Sequence, residues 1–315
     1  MERIRQSIDV GVRIPSRIVM PPMASEGSED GRIEDSTIEF YKKHAENPHF
    51  GLYIVEHNYV ERIGKASPKQ MSLARDEDVE GHKRLLDAMR SASRDFKVFV
   101  QINHAGRKVK PESIDGEPIG PSAEAGVREM TAEDMLRVKD AFVSAALRAQ
   151  RAGYDGVELH VAHGYLLNQF LSPLANKRSD EYGEDRLLYP LEVFCAIKEA
   201  VGNFPVAVRI GGLDFEEGGT AISDGVSAAK RFEEAGASLI DMTGGMNGFT
   251  RPGHDEPGWF SDLTEAVKKE VETPVLLTGG VKTCADAERL LKEGKADLIG
   301  VGRAFLKDPR WEMDE

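Results

Sequence analysis

Val275-Leu276-Leu277-Thr278-Gly279-Gly280-Val281 and, beyond a short helical stretch, Leu298-Ile299-Gly300-Val301-Gly302-Arg303 decide how this chain folds. Each begins as an apolar run suited to a strand buried on both faces, and each breaks at once into glycine. A glycine turn between strand and helix lets backbone N–H groups approach a phosphate closely, and the helix N-terminus behind it adds favourable partial charge. One such turn is weak evidence. Two, on the last two strands of an alternating chain, match the place where many α/β barrels bind phosphate.

Outward from that passage the same alternation holds. The strand candidates are Ile18–Met20, Leu52–Val55, Val98–Ile102, Gly156–His160, Val206–Ile210, Leu239–Met242, Val275–Thr278 and Leu298–Val301. Between them lie helix candidates at Ser36–Glu46, Val79–Ser91, Ala132–Ala152, Arg186–Ala200, Val226–Ala235, Leu263–Glu270 and Ala285–Lys292. Thr131, with Asp134 after it, gives the third long helix an N-cap and a first-turn acid. Ala152-Gly153 and Ala235-Gly236 fit helix C-termini that turn into the next strand. Eight strands alternating with helices form either a closed barrel or an open doubly wound sheet. The first strand is not followed by G-x-G-x-x-G, and the glycine-rich turns come late. The expectation is therefore an α/β protein, a (β/α)8 TIM barrel in a single domain over residues 1–315. Residues through Arg13 are expected to form a small lid under the barrel. Lys108–Arg128, rich in Pro and Gly, reads as a long loop without regular structure, and such loops are usually functional or disordered.

The chain has 41 Lys and Arg against 54 Asp and Glu, a formal net charge of −13. An acidic surface repels phosphate backbones and anionic lipid, which argues against nucleic acid and membrane surfaces as partners. With 40% hydrophobic and 30% charged residues, the composition is globular rather than disordered. The two cysteines, Cys195 and Cys284, have no metal-ligand spacing, so no disulfide framework and no zinc or iron–sulfur cysteine cluster is expected. Met1-Glu2-Arg3-Ile4-Arg5-Gln6 lacks an apolar signal region and no window reaches membrane-spanning length; a cytoplasmic protein is expected.

In a barrel the active site is built at the C-terminal ends of the strands. The third strand runs into Gln101-Ile102-Asn103-His104-Ala105-Gly106-Arg107. The Gln101 amide both donates and accepts, which suits the edge of a flavin pyrimidine; on residue type alone, the plainer reading is that Gln101 and His104 satisfy loop backbone. The fourth strand runs into His160-Val161-Ala162-His163-Gly164-Tyr165-Leu166-Leu167-Asn168-Gln169-Phe170. Two imidazole N–H groups can grip one carbonyl oxygen and stabilise charge developing there, and a phenol nearby can deliver a proton. A zinc site is the weaker reading, because H-E-x-x-H is lacking and no third ligand is evident. Arg209, near the barrel mouth, needs an anionic partner: a reduced flavin, or a barrel carboxylate such as Glu158. Gly279, Gly280, Gly302 and Arg303 form the phosphate candidate.

These residues resemble the old yellow enzymes, or NADH:flavin oxidoreductases, over nearly the whole chain. The resemblance rests on Arg17-Ile18-Val19-Met20-Pro21-Pro22-Met23, on the Gln101–Arg107 run, and on Ala152 through Pro173. Asn176, Arg178, Asp180, Tyr182-Gly183, Arg186, Gly279-Gly280 and Gly300-Val301-Gly302-Arg303-Ala304 extend it. It implies an FMN-binding barrel in which Pro22, Met23 and Ala24 lie against the flavin ring. Gln101 would bind the pyrimidine edge, Arg209 would sit by N1 and O2, and Gly279, Gly280, Gly302 and Arg303 would hold the phosphate. His160 and His163 would bind the substrate carbonyl, with Tyr165 as proton donor and no metal. Ala24 departs from the Thr or Cys that many members carry beside the flavin, which puts the flavin potential in doubt. The chain ends soon after Asp308-Pro309-Arg310-Trp311, so a short form without the iron–sulfur domain of larger relatives is expected.

The function so implied is FMN-dependent, NADH- or NADPH-driven reduction of the activated C=C bond of α,β-unsaturated carbonyl compounds, by hydride transfer from flavin N5. An NAD(P)H oxidase or a quinone or nitro reductase on the same scaffold stays open, as does a homo-oligomer. So do a metal-dependent barrel hydrolase or aldolase and a non-catalytic flavin-binding protein. An RNA-modifying flavin enzyme would want a basic face and a catalytic cysteine, which this chain lacks. Substrate choice is expected from Lys108–Arg128 and from Gly244–His254 after the sixth strand; Phe249 and Trp259 line the pocket or pack on the rim.

Overall fold

The computed structural model describes residues 2–92 and 94–313. Eight parallel strands close into a barrel: β1 (Ile18–Met20), β2 (Phe50–Tyr59), β3 (Lys97–Asn103), β4 (Gly156–Val161), β5 (Val206–Gly211), β6 (Ile240–Thr243), β7 (Val275–Thr278) and β8 (Leu298–Gly300). Each pairs with its neighbours in sequence, and β8 pairs with β1 to complete the ring. The helices that follow are α1 (Asp35–Ala45), α2 (Asp78–Arg90), α3 (Ala132–Ala152), α4 (Leu188–Val201), α5 (Ile222–Glu234), α6 (Ser261–Lys268), α7 (Cys284–Lys292) and α8 (Arg303–Lys307). The closed barrel expected from the late glycine turns is thus what forms. No helix among the described residues is long and apolar enough to cross a membrane.

Side chains alternate across each strand. Val157, Leu159, Val208, Ile210, Val275 and Leu277 belong to the large core shared with the helices. Their neighbours point into the barrel, and there the layers differ. Low in the barrel, Val19, Leu52, Ile54, Phe99, Ala207, Leu239, Leu276 and Leu298 make a dry floor. Above it the inward positions turn polar, with Glu56, Gln101, Glu158, Arg209 and Asp241 all buried. A barrel that buries charge only in its upper layer confines its chemistry to that end.

The expected lid is present. Ile8–Asp9 and Arg13–Ile14 form an antiparallel hairpin, and Val10 and Ile14 complete the apolar floor from beneath. Glu288 on α7 fastens the N-terminal stretch, accepting the backbone N–H groups of Glu2, Arg3 and Ile4 at 3.0, 3.1 and 3.1 Å.

Element ends move by a few residues for local reasons. The largest change is β2, which continues through the polar Glu56-His57-Asn58-Tyr59 because a register shift against β3 lets it pair beyond Val55. α5 starts at Ile222, four residues ahead of the expected Val226, because the Asp224 carboxylate accepts the Ala221 N–H at 2.8 Å and caps it there. α3 keeps its expected bounds, with Thr131 and Asp134 as a reciprocal cap and Gly153 left-handed at its end. Lys108–Arg128 carries more order than expected. Short 3-10 turns occupy Gly106–Lys108 and Pro111–Ser113, and Ile119–Gly120 pairs with Arg128–Glu129. Two-residue pairings leave no period for sequence to display.

Gly156 faces the Phe99 ring across the β3–β4 pair; a methyl group at that position would lie 2.6 Å from the ring. Replacing Gly156 with Ala is expected to destabilise the barrel by about 1–3 kcal/mol through overpacking. Adding Phe99→Leu should recover part of that loss. Urea unfolding of the two variants checks both.

Candidate active site

The site begins where β4 and β5 run side by side. His160 is opposite Arg209 in the register, and Glu158 lies below it, opposite Gln101 on β3. Beyond β4 the chain reverses at His163-Gly164, both left-handed, with φ of 59° and 72°. A non-glycine residue there is strained, and the turn is held on three sides. Asn168 Oδ1 accepts the Gly164 N–H at 2.8 Å, Gln169 Nε2 donates to the Gly164 carbonyl at 2.7 Å, and Lys108 Nζ donates to the His163 carbonyl at 2.7 Å. Gln169 also donates to the Ala105 carbonyl and accepts from Arg107 N, tying the loop after β3 to the loop after β4.

The outcome is a cluster of rings. The His160 and His163 centroids are 5.0 Å apart, and His160 and Tyr165 are 5.2 Å apart. His163 Nε2 is 3.1 Å from Thr243 Oγ1 at the end of β6. His57, which sequence reasoning missed, stacks on Tyr165 at 5.4 Å. Its Nδ1 accepts from Gln70 Nε2 at 3.0 Å and from Asn103 Nδ2 at 3.3 Å, which leaves the ring proton on Nε2. The missed signal is the run of polar residues inside the β2 pattern.

Burial holds all three imidazoles neutral. It depresses His57 to about 4. For His160 and His163 burial is again the main cause, and the nearby cations Arg209 and Lys108 push both further below the ordinary value. Neutral imidazoles donate a hydrogen bond without surrendering a proton, which suits stabilising charge on a substrate oxygen. Burial also raises the Tyr165 phenol, so it keeps its proton at neutral pH.

Under these rings lies an ionic group. Arg209 Nε is 3.1 Å from Asp241 Oδ2, while Gln101 Nε2 donates to Glu158 Oε1 at 2.7 Å. The carboxylate partner of Arg209 is therefore Asp241, correcting the expectation of Glu158: the two face each other in the β5–β6 register, whereas Glu158 pairs with Ala207 and Gln101. Burial, followed by the Asp241 charge, raises Glu158 to about 8, and burial raises Asp241 to about 6 although Arg209 opposes it.

Across the mouth, Gly279 and Gly280 follow β7 and Gly302 follows β8. Trp259 packs against Gly279, and Arg303 lies over the Trp259 ring at 5.0 Å. Arg303 has no carboxylate partner among the described residues, so its charge is available to a phosphate. Met23 and Pro21 lie against Gly302, so the segment that carries Pro22 and Ala24 runs past that turn. Trp259 thus serves the glycine turn, while Phe249 is 59% exposed with its ring 6.1 Å from His163. Among the described residues no group of three or more His, Cys, Asp or Glu could hold a metal ion.

The residues fit a flavin mononucleotide on two grounds. Glu158 Oε2, His160 Nδ1 and Asp241 Oδ1 are buried without a hydrogen-bond partner, a mixed donor and acceptor set suited to a pyrimidine edge. The glycine turns with Arg303 supply the phosphate end. A family model described as NADH:flavin oxidoreductase / NADH oxidase family matches residues 6–314. The chain belongs to that family. With it come FMN as cofactor and NADH or NADPH as reductant, and the resemblance to the old yellow enzymes holds.

Relatives of this flavin oxidoreductase include an NADH oxidase from Thermoanaerobacter brockii, 38% identical over 95% of this chain and 48% of its own length. An NADPH dehydrogenase from Geobacillus sp. is 36% identical over 96% of this chain and 89% of its own. Among solved structures, 2-naphthoyl-CoA reductase in complex with 2-naphthoyl-CoA superposes with a TM-score of 0.91 at 26% identity, covering 98% of this chain and 51% of that one. Morphinone reductase in complex with tetrahydroNAD superposes at 0.82 with 22% identity, over 99% and 89%, a likeness of fold. The chain spans about half the length of the first of these relatives.

His57 gives the site a titration test. Between its ordinary value of 6.5 and about 4, the unfolded chain takes up a proton there that the native protein refuses. Its contribution to stability is complete above 6.5 and is lost as the pH falls toward 4. Urea unfolding across that window should show His57→Gln losing stability less steeply than the unsubstituted protein, by up to one proton.

Proposed function

We propose that this barrel, as a single FMN-binding domain, reduces the activated C=C bond of α,β-unsaturated carbonyl compounds at the expense of NADH or NADPH. The observation that carries the reading is the grouping of two neutral, buried imidazoles and one protonated phenol, with His160 5.0 Å from His163 and 5.2 Å from Tyr165, above a buried guanidinium.

In this reading Gln101 and Arg209 hold the pyrimidine edge of FMN, Pro22, Met23 and Ala24 flank its ring, and Gly279, Gly280, Gly302 and Arg303 hold its phosphate. Bound there, FMN would supply hydride exchange between NAD(P)H and the β-carbon. His160 and His163 donate N–H bonds to the substrate carbonyl oxygen. Both bonds strengthen as negative charge moves onto that oxygen, which is where the rate is gained. Tyr165 gives its phenolic proton to the α-carbon. A raised phenol pKa serves that role, since the group must keep its proton until the carbon becomes basic. The left-handed turn at His163-Gly164 orients the second imidazole and brings Tyr165 back over the mouth.

The test follows the flavin absorbance anaerobically. NAD(P)H should bleach it and cyclohexenone should restore it; a band that bleaches and does not return on adding the enone removes this substrate class. Tyr165→Phe is expected to slow the return by about 10²–10⁴-fold while leaving the bleaching step intact. Equal slowing of both halves would remove the proton-donor role. The double replacement His160→Ala, His163→Ala should weaken phenol binding, read from the flavin band, by about ten-fold or more.

A further inference from the structure

The search for unassigned chemistry leads to Lys108. Around the mouth on the β2–β4 side, the arginines are matched with carboxylates: Arg107 with Glu124, Arg62 with Asp30, Arg137 with Glu61 and Arg128 with Asp134. Lys108 is not. Among the described residues no carboxylate pairs with it; its ammonium donates to the His163 carbonyl at 2.7 Å and stands 5.5 Å from the centre of the Tyr165 ring. An ammonium has three N–H groups, and this carbonyl uses one. Fixing a flexible lysine there costs side-chain entropy, and the carbonyl offers it no counter-charge.

One source of the anion is excluded by the fold. The flavin phosphate cannot be the missing anion, because the ring order sets β3 and β4 opposite β7 and β8, where Gly279, Gly280, Gly302 and Arg303 lie. Lys108 reaches solvent at the mouth, and the wall beside it is apolar. Ala105, Val109 and Ala66 form a small cluster of their own with Ile114 and Tyr165 packed against it. Burial and the neighbouring Arg107 both press on the ammonium, lowering its pKa. A lone cation beside an apolar wall, next to the proton donor, calls for a ligand with an apolar body and one negative charge.

We propose that Lys108 is the counter-charge for a carboxylate carried by the substrate, so that the preferred substrate is an anionic enone: an unsaturated carbonyl compound with a carboxylate group on its apolar body. The carbonyl oxygen goes to His160 and His163, the hydrocarbon lies along Val109 and Ile114, and the carboxylate meets Lys108. This rests on the enone reading given above and names its substrate class. It also gives the loop from Lys108 onward its purpose, since Lys108 leads into it.

Binding separates this proposal from the reading beneath it. The oxidised, FMN-loaded protein is titrated with phenol, 3-hydroxybenzoate and 4-hydroxybenzoate, following the flavin band. The phenol oxygen reports on His160 and His163, and the two benzoates place a carboxylate at two distances from it. One benzoate should bind about ten-fold tighter than phenol, the scale of a charge-assisted hydrogen bond. Added salt should shrink that preference, and Lys108→Met should bring the ratio near one. Phenol binding with no preference for either benzoate, or a preference that survives Lys108→Met, overturns the assignment to Lys108 and leaves the enone reading standing. No response to any of the three overturns both.

Discussion

Arg209 places a guanidinium inside a barrel, and a cation removed from water must be compensated close by. The register provides the compensation: β6 brings Asp241 opposite Arg209. Burial, followed by the Asp241 charge, raises the Glu158 carboxyl well above its ordinary value. A second ionised carboxylate would be expensive in this setting, and a second cation more so. The two imidazoles above are kept neutral in part by the same guanidinium. Burial of the rings is the main cause of their neutrality, and the buried guanidinium adds to it.

The apolar floor makes that arrangement affordable to the fold. Leu52, Ile54, Phe99, Leu239, Leu276 and Leu298 seal the barrel below the charged layer, and the N-terminal hairpin closes it underneath with Val10 and Ile14. The loops at the strand C-termini divide the work by position around the ring. Glycine turns with Arg303 stand at β7 and β8, while rings and Lys108 stand at β3 and β4. A closed ring of parallel strands puts those two halves on opposite sides, which is the separation a long cofactor needs between its phosphate and its reacting ring.

How much of this was legible in the sequence depended on periodicity. Long, strongly patterned elements such as Ala132–Ala152 read to the residue, because capping at Thr131 and the left-handed Gly153 leave signatures at both ends. Ile18–Met20 and Val275–Thr278 were found to the residue, but other strand ends were not, since a parallel strand buried on both faces has no alternation to mark where it stops. β2 was clipped at Val55 for a further reason: Glu56, His57, Asn58 and Tyr59 are polar or half-polar and look like a loop until the register shift against β3 is known. His57 was overlooked with them. The pairing of Arg209 with Asp241 was equally hidden, because register across two strands is a property of the closed barrel and not of either segment.

The neighbouring loops after β3 and β4 show why a site of this kind can be built partly from strained backbone. His163 adopts a conformation that favours glycine, and its side chain makes a single bond, to Thr243 Oγ1. The compensation comes from Gln169, Asn168 and Lys108, which bind the carbonyls and N–H groups of the turn. Gln169 also reaches Ala105 and Arg107, so the two loops are one unit and a shift in either moves both. Lys108 belongs to this bracing as well as facing the pocket. Its carbonyl partner is that of His163, so a substrate charge bound at Lys108 would be felt directly at the turn that carries His163 and returns Tyr165 to the mouth. Recognition of the far end of the substrate and placement of the groups proposed to act on its carbonyl would then be coupled through one hydrogen bond.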